Sequence, residues 1–317
     1  MNVDHTLAQF SDSAFFTAFM IYFFALALSI VFYMKRQGMT DLEREQSASE
    51  TFSEEQAAAL TRMETAANKF AGMTHMMVWL GIIIHIVSLV LRGVAAQRFP
   101  FGNLYEYIST ITMSTMIAAA LYFQKKELRV MWPWLLVPVL SLLFFGGTKL
   151  YAATAPVVPA LQSYWLKVHV SIVAGGASIG MISGIVSIVY LLRVWQPVGG
   201  EHGFFAPLLK PLPSAKFLDT VAYRTAIITV PVFGLGIVLG AIWAEQTWGR
   251  FWGWDPKETF ALITWMLYAA YLHARATAGW RDSKAAWINI LALGTMIFNL
   301  FFINLVVSGL HSYAGLN

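Results

Sequence analysis

Two neutral imidazoles on different segments of a chain can hold one metal ion between them. Of the seven histidines, His169 and His311 suit that role best, because each stands at the end of an apolar run and both ends are expected on one face of a membrane. Taken singly, either reads as an ordinary interfacial histidine. Between them in sequence lies Trp243-Ala-Glu-Gln-Thr-Trp248-Gly249-Arg250-Phe251-Trp252-Gly253-Trp254-Asp255-Pro256-Lys257-Glu258, which holds four of the chain's 12 tryptophans. Asp255, Pro256 and Glu258 spell a helix start, with an N-cap, a proline at the first helical position and a capping box. That accounts for the acids but not for the Trp and Gly before them. A membrane-interface belt needs only a ring or two per helix end. Indoles interleaved with glycine instead make a flat shelf that suits a large planar ligand with apolar edges, whose carboxylates could pair with Arg250 and Lys257.

The remaining histidines divide by depth. His273 falls about 14 residues into the seventh apolar run, roughly 21 Å from its outer start. An ionisable group at that depth is a functional candidate, the plain alternative being a hydrogen bond to a neighbouring helix. His75 and His85, in the second run, read as structural residues, and His5 and His202 carry no assigned role. Glu106 opens the third run, where a carboxylate suits the positive end of a helix.

Composition dictates the elements that must hold these groups in place. Hydrophobic residues make up 58% and charged residues 12% of the 317 positions, against about 25% charged in a soluble domain. The net charge of +4 is spread between apolar runs, which excludes the basic stripe of a nucleic-acid binder. The chain has no cysteine, which excludes disulfides, thiolate metal sites and iron-sulfur clusters. Runs able to cross about 30 Å of hydrocarbon occur near 14 to 34, 71 to 91, 104 to 123, 131 to 147, 165 to 194, 221 to 243, 259 to 278 and 286 to 308. The first lacks a basic flank and a cleavage site, so it is expected as a retained span.

The expected fold is an all-α, polytopic membrane helix bundle of about eight transmembrane helices, a single domain over 1–317 with both termini outside. Of the 21 Lys and Arg, 15 follow the odd-numbered spans and six the even-numbered ones, which puts the 15-rich side in the cytoplasm. The polar segment 35–70 is then a cytoplasmic linker, in which Ser53 to Thr65 is a candidate helix. The tryptophan-rich segment 243–258 is external. Glycines 176, 180 and 184, and glycines 236 and 240, are spaced for close helix packing.

Trp248-Gly249-x-x-Trp252-x-Trp254-Asp255-x-x-Glu258 resembles the WWD signature of the haem-handling proteins of cytochrome c maturation. Length and span number are similar to the CcsA/ResC-type subunit of the System II cytochrome c synthase, called CcsB in some actinobacteria. The likeness extends to Pro100-Phe-Gly-Asn103-Leu-Tyr105-Glu106, Leu166-Lys-Val-His169, Tyr271-Leu-His273-Ala-Arg275 and His311-Ser-Tyr313, and so covers most of the chain from about residue 79.

The resemblance implies a haem lyase that transports haem b (iron protoporphyrin IX) and attaches it to apocytochrome c at a Cys-x-x-Cys-His motif. It implies one external haem ligated by His169 and His311, with Trp248, Gly249, Arg250, Trp252, Trp254, Asp255 and Glu258, and Asn103 and Glu106, around it. It implies a second, intramembrane haem on His273, whose other ligand is His75, His85 or, as the family pattern favours, a residue of a ResB-type membrane partner. A thioredoxin-like thiol-reducing protein is expected alongside, in the plasma membrane. Two rival readings are a b-haem electron-transfer subunit, which would pair its histidines within the bilayer, and a transporter of an amphipathic solute, for which no intramembrane carboxylate is evident.

Overall fold

The structure, a computed structural model, describes residues 3–48 and 53–311, and every regular element in them is helical. In chain order these are α1 (His5–Ala48), α2 (Glu54–Ala96), α3 (Leu104–Tyr122), α4 (Trp132–Lys149) and α5 (Tyr164–Trp195). A single turn, α6 (Ala206–Leu209), precedes α7 (Ala215–Trp248), α8 (Pro256–Ala276) and α9 (Ser283–Phe298). A π-helical turn, Asn299–Ile303, continues α9. The chain is the all-helical membrane bundle that its composition implies.

A helix stands at each of the eight expected spans, and six are long and apolar enough to cross a membrane: α1, α2, α4 with the 3-10 turn before it, α5, α7, and α9 with its π turn. The other two, α3 and α8, have 19 and 21 residues, enough for about 30 Å, but carry more polar side chains. In α3 those side chains are enclosed by neighbouring helices. Thr110, Thr112 and Thr115 each donate a hydroxyl to the carbonyl one turn back, so none is left unpaired in an apolar surrounding.

Helices α1 and α2 run to 44 and 43 residues, well past their apolar stretches. The polar segment between those stretches is thus taken up largely by helix, because it is rich in Glu, Arg, Ala and Met, which favour helix whether or not they are apolar. Ser53 starts α2 with a capping box to Gln56. The polar end of α1 is tied to the α5–α7 connection through Arg44–Glu201 at 2.8 Å and Lys210–Asp41 at 2.8 Å.

The first four helices pack on one another, as do α5, α7, α8 and α9, and the two groups meet mainly where α3 lies along α5. The small residues set how close α5 comes to its neighbours. A Cβ on Gly176 would lie 2.7 Å from the backbone nitrogen of Phe233 in α7, one on Gly180 2.8 Å from the Tyr268 hydroxyl in α8, and one on Gly184 2.6 Å from Leu293 in α9. From α7, Gly236 abuts Val173, and a Cβ on Gly240 would lie 2.7 Å from the His169 ring. The glycine spacing visible in the sequence therefore makes α5 the central helix.

Candidate haem site

A cavity of ≈ 740 Å³ lies along α5, from His169 at one end to Val189 at the other, about 30 Å of helix. Its walls are apolar over most of that length, with Val173, Met181 and Ile185 of α5 facing Leu293 and Met296 of α9. Most polar groups gather at one end, where His169, Trp252, Lys257, Glu258, Asn304 and His311 converge. The volume and the few convergent polar groups are those of a pocket for a large, mostly apolar ligand.

The two histidines expected as a pair are brought together there. The half-buried His169 ring places Nδ1 2.7 Å from the Gly236 carbonyl. His311 Nδ1 lies 2.8 Å from Asp255 Oδ2. A carbonyl or carboxylate oxygen only accepts, so Nδ1 carries the hydrogen in both rings and Nε2 keeps its lone pair. Among the described residues, neither Nε2 has a hydrogen-bond partner. Metal-binding histidines are held in this way, with one nitrogen fixed by an oxygen and the other offered to the metal. This chemistry fits a bis-imidazole haem iron.

Trp243 packs on both rings. It stacks on His169 at 6.1 Å between centroids and meets His311 edge-on at 5.5 Å, and Trp248 closes a triangle with them, 5.0 Å from His311 and 4.8 Å from Trp243. Trp252 lines the cavity. Trp254 does not; it is 70% exposed and holds a φ of 58°, a left-handed conformation that costs a non-glycine residue about 1–3 kcal/mol. Gly249, with φ 70°, closes α7 in the same conformation without that cost.

The acids organise the segment. Asp255 caps α8, and the Glu258 carboxylate accepts the Gly253 N–H at 2.9 Å and the Asp255 N–H at 3.2 Å. Asp255 also ties down the C-terminal segment, accepting the Leu310 N–H at 2.7 Å beside its bond to His311. Burial pushes the Asp255 pKa up, but the hydrogen bonds it accepts from His311 and from the Leu310 and Lys257 N–H groups outweigh it and hold the carboxyl below its ordinary value. Arg250 lies 3.5 Å from Glu258 and across Gly253, where any Cβ would displace it. Lys257 donates to Asn304 and lies over the Tyr107 ring. Both cations expected to meet ligand carboxylates thus border the site with protein partners in place.

Other expected site residues stand apart. Glu106 is fully enclosed by Arg92 and Arg98, each at 2.7 Å, and accepts the Gly102 N–H at 2.6 Å, while Asn103 caps α3. These two brace the loop between α2 and α3, and the next residue, Tyr107, is the one that faces the cavity. His273 lies in the last turn of α8, exposed and outside the cavity, because α8 ends at Ala276. His75 accepts the Trp79 indole N–H at 3.0 Å, and the buried His85 pairs with Ser109 at 2.8 Å. Ser312 and Tyr313 fall outside the described residues. Reasoning from sequence missed Trp243 as the ring between the histidines and missed the π turn, whose Asn299 and Asn304 border the cavity. Two asparagines five apart in an apolar run were the available signal, since π turns often mark functional sites.

Comparison with known proteins places this arrangement. The cytochrome C assembly protein family matches residues 101–311. The cytochrome c biogenesis protein CcsA of Guillardia theta is 34% identical over 254 residues, covering 75% of this chain and 84% of that protein. The protein of the same name from Chlorella vulgaris is 33% identical, covering 73% of this chain and 82% of its own length. The cytochrome c haem lyase CcmF shares the fold with a TM-score of 0.54 at 15% identity; the alignment covers 94% of this chain but 49% of the longer one. The chain is a multi-pass membrane protein that belongs to the cytochrome c assembly protein family, among its CcsA-type members.

Proposed function

We propose that this chain carries haem b to the polar end of its cavity and presents it there to apocytochrome c. The observation that carries the reading is the His169–His311 pair, with both Nε2 atoms unused and Nδ1 fixed on Gly236 and Asp255. The haem is cargo, transferred to the cytochrome. Each cysteine thiol of Cys-x-x-Cys-His adds across one vinyl group, sulfur to one carbon and hydrogen to the other, with no net oxidation. The chain itself holds the ring. His169 and His311 clamp the iron, and Trp248 and Trp252 shape the edge, so that a docked thiol meets a fixed vinyl group and an encounter becomes a local step. The absence of cysteine fits this role, since the chain offers no competing thiol. Thiols must arrive reduced, hence a thioredoxin-like partner, and the exposed His273 offers a second haem a ligand at a face open to a ResB-type subunit.

Two measurements bear on this reading. Trp252→Leu should lower haem content and cytochrome c maturation in a protein that still accumulates, whereas Trp254→Leu should leave haem content near normal because its ring points away from the cavity. Normal haem content in a well-expressed Trp252→Leu protein would refute the shelf.

Sidedness follows from the 15 to six division of Lys and Arg, which puts the tryptophan segment outside the plasma membrane. With no native cysteine, single reporters are clean. Thr247→Cys should react with an impermeant maleimide in intact cells and Ser53→Cys should not. The opposite pattern would reverse the assignment.

A further inference from the structure

A second pocket, of ≈ 470 Å³, lies at the far end of the bundle from the tryptophan segment, between the start of α7 and the end of α8. Three cationic side chains line it, Lys216, Arg275 and Arg281, against the single carboxylate of Asp219. Arg275 is already committed: its Nε donates to Asp219 at 2.9 Å and its guanidinium lies 4.2 Å from the centre of the Tyr223 ring. Lys216 and Arg281 make no hydrogen bond or ion pair through their side chains among the described residues, which leaves the pocket with two uncommitted positive charges. Thr220 and Tyr223 add hydroxyls to its wall. Asp282, beside Arg281 in sequence, is exposed and does not line it.

Its depth is marked independently. Trp280 and Trp287, at the start of α9, are 50% and 62% exposed, and Lys284 lies over the Trp280 ring. Outward-facing indoles with a cation beside them are the signature of the membrane–water interface, so the pocket sits at headgroup level. The start of α7 adds the positive end of a helix dipole next to Lys216.

We propose that this pocket binds the phosphodiester headgroup of an anionic phospholipid, with Lys216 and Arg281 taking the phosphate oxygens and the Tyr223 hydroxyl donating a hydrogen bond. Basic pockets between helices at this level are suited to such headgroups. The inference is independent of the haem reading, since no residue is shared with the cavity at the other end.

The test uses the full-length protein in nanodiscs of phosphatidylglycerol mixed with phosphatidylcholine, followed by detergent extraction and native mass spectrometry of the retained lipid. Wild type should keep phosphatidylglycerol in preference to phosphatidylcholine by on the order of tenfold. Lys216→Gln/Arg281→Gln should lose that preference, and Lys216→Arg should keep it. Haem content and gel-filtration profile, measured on the same samples, should be unchanged. Equal retention of the two lipids by wild type, or a preference that survives in the double variant, would overturn the proposal. So would displacement of the lipid by millimolar inorganic phosphate, which would make the pocket a free-anion site. Loss of haem with lipid retention intact would reassign it to a haem carboxylate.

Discussion

His169→Ala and His311→Ala are each expected to turn a low-spin, six-coordinate haem into a five-coordinate or water-bound one, and to abolish most cytochrome c maturation. The reason lies in the geometry of the pair. The Nε2 lone pairs of two rings that both pack on Trp243 are the ligands on offer at the polar end of the cavity. Removing either leaves one face of the iron to water, which holds it less tightly and exposes it to oxidation. Loss of a partner that merely orients a ligand costs about 10–100-fold, and loss of the ligand itself should cost at least that. Because the two act as a unit, the double variant should add little to either single loss. Absorption and resonance Raman spectra of the purified proteins give the spin state, and a haem stain of the cytochrome gives the activity. If the two single variants altered two different haems, the pair would be disproved.

Asp255→Asn should produce the second-largest effect, and through a different route. Asparagine keeps one oxygen and leaves the Glu258 half of the capping box in place, but Oδ2, which takes His311, also takes the Lys257 N–H, so an amide that turns its NH₂ toward His311 gives up that cap bond and some stability with it. The hydrogen bond to His311 would be lost. An amide that points its NH₂ at His311 Nδ1 makes that nitrogen an acceptor and moves the ring hydrogen to Nε2, the atom the iron needs. Haem affinity at the outer site should fall about 10–100-fold, with the far end of the cavity unaffected. Asp255→Ala should complete the cap loss, roughly 1 kcal/mol in all. The two variants are separated by thermal unfolding and haem titration; a normal haem affinity in Asp255→Asn would show that the carboxylate acts only as a cap. The pH dependence has a definite sign. The Asp255 carboxyl is held below its ordinary value, so its contribution is complete above that value and is lost only as the pH falls through the lower, folded-state value.

The sequence disclosed those features that depend on neighbours along the chain. The Asp255–Glu258 capping box follows from residue order, and the glycines four apart on α5 follow from helical period. Both are found as expected. What it did not disclose depends on groups distant in sequence. Glu106 looked available to a ligand because Arg92 and Arg98, which enclose it, are 14 and eight residues away and belong to the preceding helix and its loop. Lys257 looked available for the same reason until Asn304, from the π turn, took its ammonium. Trp243 opens the tryptophan-rich segment, but its place against His169 comes only from the packing of α5 against α7. In the polar segment 35–70 the sequence offers a helix only around Ser53 to Thr65; helix propensity carries α1 to Ala48 as well, and its polar end finds ion-pair partners in the α5–α7 connection.

The glycine contacts between α5 and α7 act as a height gauge for the metal site. Gly176 meets Phe233, Val173 meets Gly236 and His169 meets Gly240, three rungs that step up one interface toward the tryptophan segment. Sliding one helix past the other by a single turn, about 5.4 Å, would set side chains against the backbone of Phe233, where no change of rotamer relieves the clash. The elevation of the His169 ring relative to Trp243 is therefore fixed as far as two turns below it, by contacts that supply no ligand to the proposed iron site. A bulky residue at position 176 would detune the iron site from a distance while every ligand remained in the sequence.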